Sequence, residues 1–195
     1  SLARRHRDRL AGLGLIDTRP DADYAEQAAN RRRIAEEVSA AGSAAPLAGT
    51  MLDTLLGATT RTRRREVVER VRSWIEAADP AGVAWCQRAM ATRPDSTSTL
   101  VESGKADPAS RAGVASAATP TTPASPLPAL PALVLVGAED VTSPPAVARR
   151  MAELLGATAS YVEVPEAGHL SPVERPDVVA AALEDLVRRA GAVSQ

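Results

Sequence analysis

Apolar residues follow two kinds of pattern along this chain. Residues 11–17, 132–137 and 160–164 are short apolar runs bounded by Pro, Gly or charged positions. Runs of this length predict strands, and near-continuous apolarity predicts strands covered on both faces of a parallel sheet. The third run, Ser-Tyr-Val-Glu-Val, is more polar and is expected to be more exposed. Two other segments show helical spacing. Between 144 and 155 the stripe is Val147, Met151, Leu154 and Leu155, with Ser143 as N-cap, Pro144 as first helical residue and Gly156 as the stop. Between 176 and 190 it is Val179, Leu183, Leu186 and Val187, with Asp177 in the first turn and Arg188 and Arg189 in the last. The C-terminal third therefore reads strand–helix–strand–helix.

Residues 22–100 carry helical periodicity and no convincing strand. Met51, Leu52, Leu55 and Leu56 mark one short helix. Val67, Val68, Val71, Trp74 and Ile75 mark a second, and Asp79-Pro80 opens a third. This predicts an all-helical insertion between two strands. Within 106–132, 22 of 27 residues are Ala, Pro, Ser, Thr or Gly. So little apolar area cannot offset the roughly 1–2 kcal/mol of backbone entropy lost per ordered residue, so 106–128 is expected to be the least ordered internal stretch. Pro126, Pro128 and Pro131 read as a stiff connector into the next strand. The predicted organisation is a helix end and first strand over 1–20, a helical insertion over 21–102, a linker over 103–131 and a returning core over 132–195. The chain starts at Ser1, and residues 1–10 read as the last turns of a helix already under way, so the expectation is that it begins inside a larger fold.

Composition narrows the function classes. The 195 residues allow one domain, or one domain with an insertion. The net charge of −1 gives no global field for nucleic acid or an anionic membrane. Phe is absent, and Tyr24, Trp74, Trp85 and Tyr161 supply every aromatic ring, which argues against a stacking platform for single strands. The arginines between Arg61 and Arg72 read as a charged helix face, because Val67, Val68 and Val71 interrupt them at core spacing. A single cysteine, Cys86, excludes an internal disulfide framework. No run is long enough for a transmembrane helix and no signal-peptide pattern is present, so the expected setting is cytoplasmic. Gly12-x-Gly14 and Gly104-Lys105 lack the rest of a dinucleotide or phosphate-loop motif. Two distant histidines and one cysteine make no metal site, and no cofactor is expected.

The chemistry concentrates between Leu133 and Pro176. The second strand runs into Gly137-Ala138-Glu139-Asp140, and the third into Ala167-Gly168-His169-Leu170-Ser171-Pro172-Val173-Glu174-Arg175-Pro176. In an open parallel sheet ligands bind beyond the carboxyl ends of the strands. Asp140 and His169 both fall there, on successive strands. An acid beside an imidazole can fix its tautomer and stabilise the imidazolium, the acid–base half of a nucleophilic triad. His6 lies among Arg4, Arg5, Arg7 and Arg9 and reads as a solvated helix end.

Gly-x-x-Asp-x-x-x-Pro, with Gly-His-Leu-Ser-Pro-x-Glu-x-Pro following it, resembles the end of an α/β-hydrolase-fold protein of the enol-lactonase and esterase type. Ala-Gly-Leu-Gly-Leu-Ile-Asp-Thr resembles the strand after that family's nucleophile helix, and the helical insertion resembles its cap. The resemblance implies a C-terminal part of that α/β fold: about three parallel strands, flanking helices and an all-helical cap. It implies hydrolysis of a small-molecule ester or lactone, with Asp140 as triad acid and His169 as general base. Trp85 and Met90, chosen for size and position, are the candidate substrate-binding residues of the cap. The family's Gly-x-Ser-x-Gly elbow is absent from all 195 residues. The chain alone is therefore expected to lack triad-dependent turnover, and its first strand to present an apolar edge open to self-association. The rivals are a dehalogenase or a haloperoxidase on the same fold, or a non-catalytic binding module or gene fragment on a decayed hydrolase scaffold.

Overall fold

In the computed structural model, residues 9–104 and 130–192 are described, together with Ala3 and His6. The expected disorder of 106–128 falls outside the described residues, as does most of the proposed helix end at 1–10.

Three strands form one parallel sheet in the order β1 (Leu13–Ile16), β2 (Ala132–Gly137), β3 (Ala159–Val164). Leu13 pairs with Ala132, and Ala132 with Ala159. All six residues of the central strand are buried. Their alternation splits the core in two. Ala132, Val134 and Val136 face α7 (Pro145–Leu155) and pack on Ala148, Met151 and Leu155, with Leu100 alongside. Leu133 and Leu135 face α9 (Pro176–Ala192) and pack on Val179 and Leu186. A strand apolar at every position is what two covered faces require, and each of its Leu and Val side chains contributes about 1.5–3 kcal/mol on burial.

The segment between β1 and β2 is helical throughout its described part: α1 (Ala25–Ala41), a 3-10 turn (Ala45–Leu47), α2 (Ala48–Leu55), α3 (Ala58–Arg63), α4 (Arg65–Glu76), α5 (Pro80–Ala91) and α6 (Thr97–Gly104). Asp79 caps α5 by accepting from the N–H groups of Ala81 and Gly82, with Pro80 at the first helical position. A third core joins Leu52 and Leu56 to Val67, Val71 and Ile75. Leu170 and Val173, from the loop and short helix α8 (Ser171–Glu174) after β3, pack against that core.

Several sequence expectations shift. Helix α7 starts at Pro145, with extended Pro144 as its N-cap. The reason is that Asp140 already organises the preceding turn, taking the N–H of Ser143. Along α9, Val179 and Leu186 are buried, but Leu183 and Val187 lie exposed, because the helix meets the sheet on a narrower face than the predicted stripe. Trp74 is likewise exposed beside the buried 67, 71, 75 ridge of α4. Strand β1 is only half-buried, since β2 alone pairs with it among the described residues.

Candidate functional site

The carboxyl ends of β2 and β3 carry the two predicted residues to one place. Leaving β2 at Gly137, the chain turns through Asp140, whose Oδ1 accepts from the N–H groups of Thr142 at 2.7 Å and Ser143 at 2.8 Å. This local turn consumes one carboxylate oxygen and aims the other. Asp140 Oδ2 lies 2.8 Å from Nδ1 of His169. The Asp140 side chain is fully buried, whereas 22% of the His169 side chain remains exposed. A carboxylate can only accept, so a neutral imidazole here donates from Nδ1 and keeps its lone pair on Nε2. Asp140 thus organises its own turn with one oxygen and meets the His169 ring with the other.

Hydrogen bonds fix the backbone on each side of His169. Gly168 N–H donates to Glu174 Oε1 at 2.8 Å, Leu170 N–H to the Leu55 carbonyl at 3.1 Å, and Ser171 N–H to Asp17 Oδ2 at 3.0 Å. Asp17 directly follows β1, has φ +45° and is buried. It also accepts from the Ser171 hydroxyl at 2.6 Å and the Gly137 N–H at 3.0 Å, joining the ends of β1 and β2 to the histidine loop. Burial pushes the Asp17 carboxyl above its ordinary value, and the nearby Asp140 charge adds to the rise, against the three hydrogen bonds that favour the ionised form.

The site borders a cavity of about 1040 Å³ whose walls include Asp17, Arg19, Thr142, Ser143 and His169, with Ile34, Met51 and Met90 from the helices. Met90 therefore reaches the cavity. Trp85 does not line it and is 69% exposed, because one helical turn and a half separates the two on α5. On the same wall Arg31 and Arg93 share the buried carboxylate of Asp23. Among the described residues no group of three or more potential ligands gathers as a metal site, and no helix is long and apolar enough to cross a membrane.

Sequence reasoning missed Asp17, Glu174 and Gly57 as parts of this site. Asp17 appeared only as the acid ending a strand, and Glu174 only as a letter of the histidine motif. Their partners lie 154 and 117 residues away in the chain, respectively, so no local pattern announces them.

The model of the Alpha/beta hydrolase family matches residues 3–182. A search of curated protein sequences finds no match. Among solved structures, a thermophilic esterase from Thermogutta terrifontis, in a malate-bound form, is 38% identical with a TM-score of 0.78, covering 96% of this chain and 59% of that one. The enol-lactonase from Burkholderia xenovorans is similar in fold at 24% identity and TM-score 0.70, covering 96% of this chain and 60% of that one. A putative non-heme bromoperoxidase from Mycobacterium tuberculosis shares the fold at 20% identity and TM-score 0.67, covering 97% and 62%. The chain thus spans about three-fifths of the length of these structures.

Proposed function

Because the chain belongs to the alpha/beta hydrolase family, we propose that Asp140 and His169 are the acid and general base of a Ser-His-Asp relay hydrolysing a small-molecule carboxylic ester or lactone. The observation that carries the proposal is the 2.8 Å contact between Asp140 Oδ2 and His169 Nδ1 at the carboxyl ends of neighbouring strands, beside the cavity. Asp140 holds the ring with Nε2 unprotonated. Nε2 then takes the proton from the nucleophile as it attacks the substrate carbonyl, and Asp140 stabilises the imidazolium that forms. The proton passes next to the alkoxide oxygen as its bond to the carbonyl carbon breaks, leaving an acyl-enzyme; a water activated by the same nitrogen then cleaves that acyl bond, releasing the acid and restoring the nucleophile's proton. No Gly-x-Ser-x-Gly stands in residues 1–195, so in this reading the nucleophile comes from polypeptide outside them. Met90 contributes to the substrate wall.

The test is hydrolysis of an activated aryl ester by three proteins: the chain alone, its His169→Ala variant, and the chain joined behind the part of the Thermogutta esterase that it does not cover. The chain alone and its variant should both stay at background. The joined protein should turn over, and His169→Ala within it should cost about 10²–10⁴-fold in rate. Turnover of the joined protein that is indifferent to His169→Ala would overturn the assignment.

A further inference from the structure

The acid loop and the histidine loop do not meet in isolation. Both rest on one short junction of the helical segment, residues 54–59, where α2 gives way to α3. The Thr142 hydroxyl donates to the Thr54 carbonyl at 3.1 Å, and Leu170 N–H to the Leu55 carbonyl. Thr59 donates through its N–H to Glu139 Oε2 at 2.8 Å and through its hydroxyl to the other oxygen. Between these contacts lies Gly57. A Cβ there would come within 2.6 Å of Glu139 Oε2 and 2.8 Å of Gly168 N, so the backbones touch with no room for a side chain.

One buried side chain spans this contact. Glu174 is 4% exposed, and its two carboxylate oxygens take different donors: Oε2 accepts from Gly57 N–H at 2.9 Å and Oε1 from Gly168 N–H at 2.8 Å. Gly168 immediately precedes His169. A buried carboxylate is costly unless its oxygens are satisfied, and here the satisfying groups belong to the two bodies that must stay in register. Arg64 adds a guanidinium contact to the Glu174 carbonyl at 2.9 Å.

We infer that Glu174 is a positioning residue for His169: it clamps Gly168 to Gly57, so that the seat of the helical segment sets the orientation of the imidazole toward Asp140. This rests on His169 being the proposed base, but it is a statement about geometry and is tested without turnover.

Residues 1–195 hold two histidines, His6 and His169, so a sample of this chain labelled with ¹⁵N-histidine gives two ring systems, and a His6→Gln variant assigns them. In the parent chain His169 should show one neutral tautomer, protonated at Nδ1, with slow exchange of that proton. Glu174→Gln keeps one acceptor and turns an amide NH₂ toward the other glycine N–H. Gly57→Ala attacks the same contact from the helical side. Both should populate the Nε2-protonated form and raise Nδ1-proton exchange by about tenfold or more, the scale of a lost hydrogen bond to a charged group. Glu166→Gln, on the same loop but about half exposed, should leave both signals alone. Folded Glu174→Gln and Gly57→Ala proteins with unchanged His169 rings would overturn the proposal. So would loss of fold in both with no folded species carrying an altered ring, since Glu174 would then be structural only. A changed ring signature combined with failure of the ester assay would reject the hydrolase reading and leave the clamp standing.

Discussion

A single methyl group at Gly137 tests how tightly the two loops are pressed together. An ideal Cβ there would sit 2.1 Å from the Gly168 carbonyl oxygen and 2.4 Å from that of Ala167. Ordinary van der Waals contact begins near 3.4 Å, so the histidine loop must retreat by about 1.3 Å. The obstructing atoms are backbone, and no rotamer change relieves them. The loop that must move is held by the Glu139 N–H to Ala167 carbonyl bond at 2.8 Å and by the Gly168 N–H to Glu174 bond at 2.8 Å. Losing one neutral and one charge-assisted bond costs about 2–4 kcal/mol. At about 2–4 °C per kcal/mol for a chain of this size, Gly137→Ala should lower the melting temperature by about 5–15 °C. Gly49, in α2, is the matched control: nothing lies within 4 Å of its Cβ position, and an alanine there should be neutral or stabilise by up to about 1 kcal/mol. Melting followed by far-ultraviolet circular dichroism reads both. A Gly137→Ala protein melting within a degree of the parent would refute the close approach, and so would equal losses at Gly137 and Gly49.

Two further outcomes follow from the carboxylates. Asp140→Asn can keep its oxygen toward the Thr142 and Ser143 N–H groups while its NH₂ faces His169, so the turn should survive and the ring should switch to the Nε2-protonated tautomer, seen by ¹⁵N shifts. An unchanged tautomer would separate the pair. Asp17 titrates above its ordinary value in the folded chain, so folding binds its proton more tightly than the unfolded state does, and stability is lost as pH rises from the usual carboxylate value through the raised one. The stability advantage of the parent over Asp17→Asn, read from urea midpoints, should therefore shrink across that window and stay level above it. An advantage that grows with pH would show that the three hydrogen bonds outweigh burial.

What the sequence by itself determined is local. Periodicity placed β2 and β3 and most of the helices, because apolar spacing and caps act over a few residues: Asp79-Pro80 starts α5, and Gly156 stops α7. The sequence also placed Asp140 and the Gly-His motif in the loops after β2 and β3, since parallel strands bring successive carboxyl ends to one edge, and the two side chains meet there. What only the tertiary structure decided depends on how distant segments pass one another. Val187 and Trp74 sit on apolar stripes yet face solvent, because the partner surface is narrower than the stripe. Met90 meets the cavity while Trp85, five residues earlier, does not, a difference of helical phase that matters only once a wall exists. Gly57, Gly137 and Gly168 carry no distinguishing mark in the sequence. The structure brings three backbones together there with no space for a Cβ, and a buried carboxylate from Glu174 ties two of the glycines together. Such an approach is written in the path of the whole chain, and no window of neighbouring residues contains it.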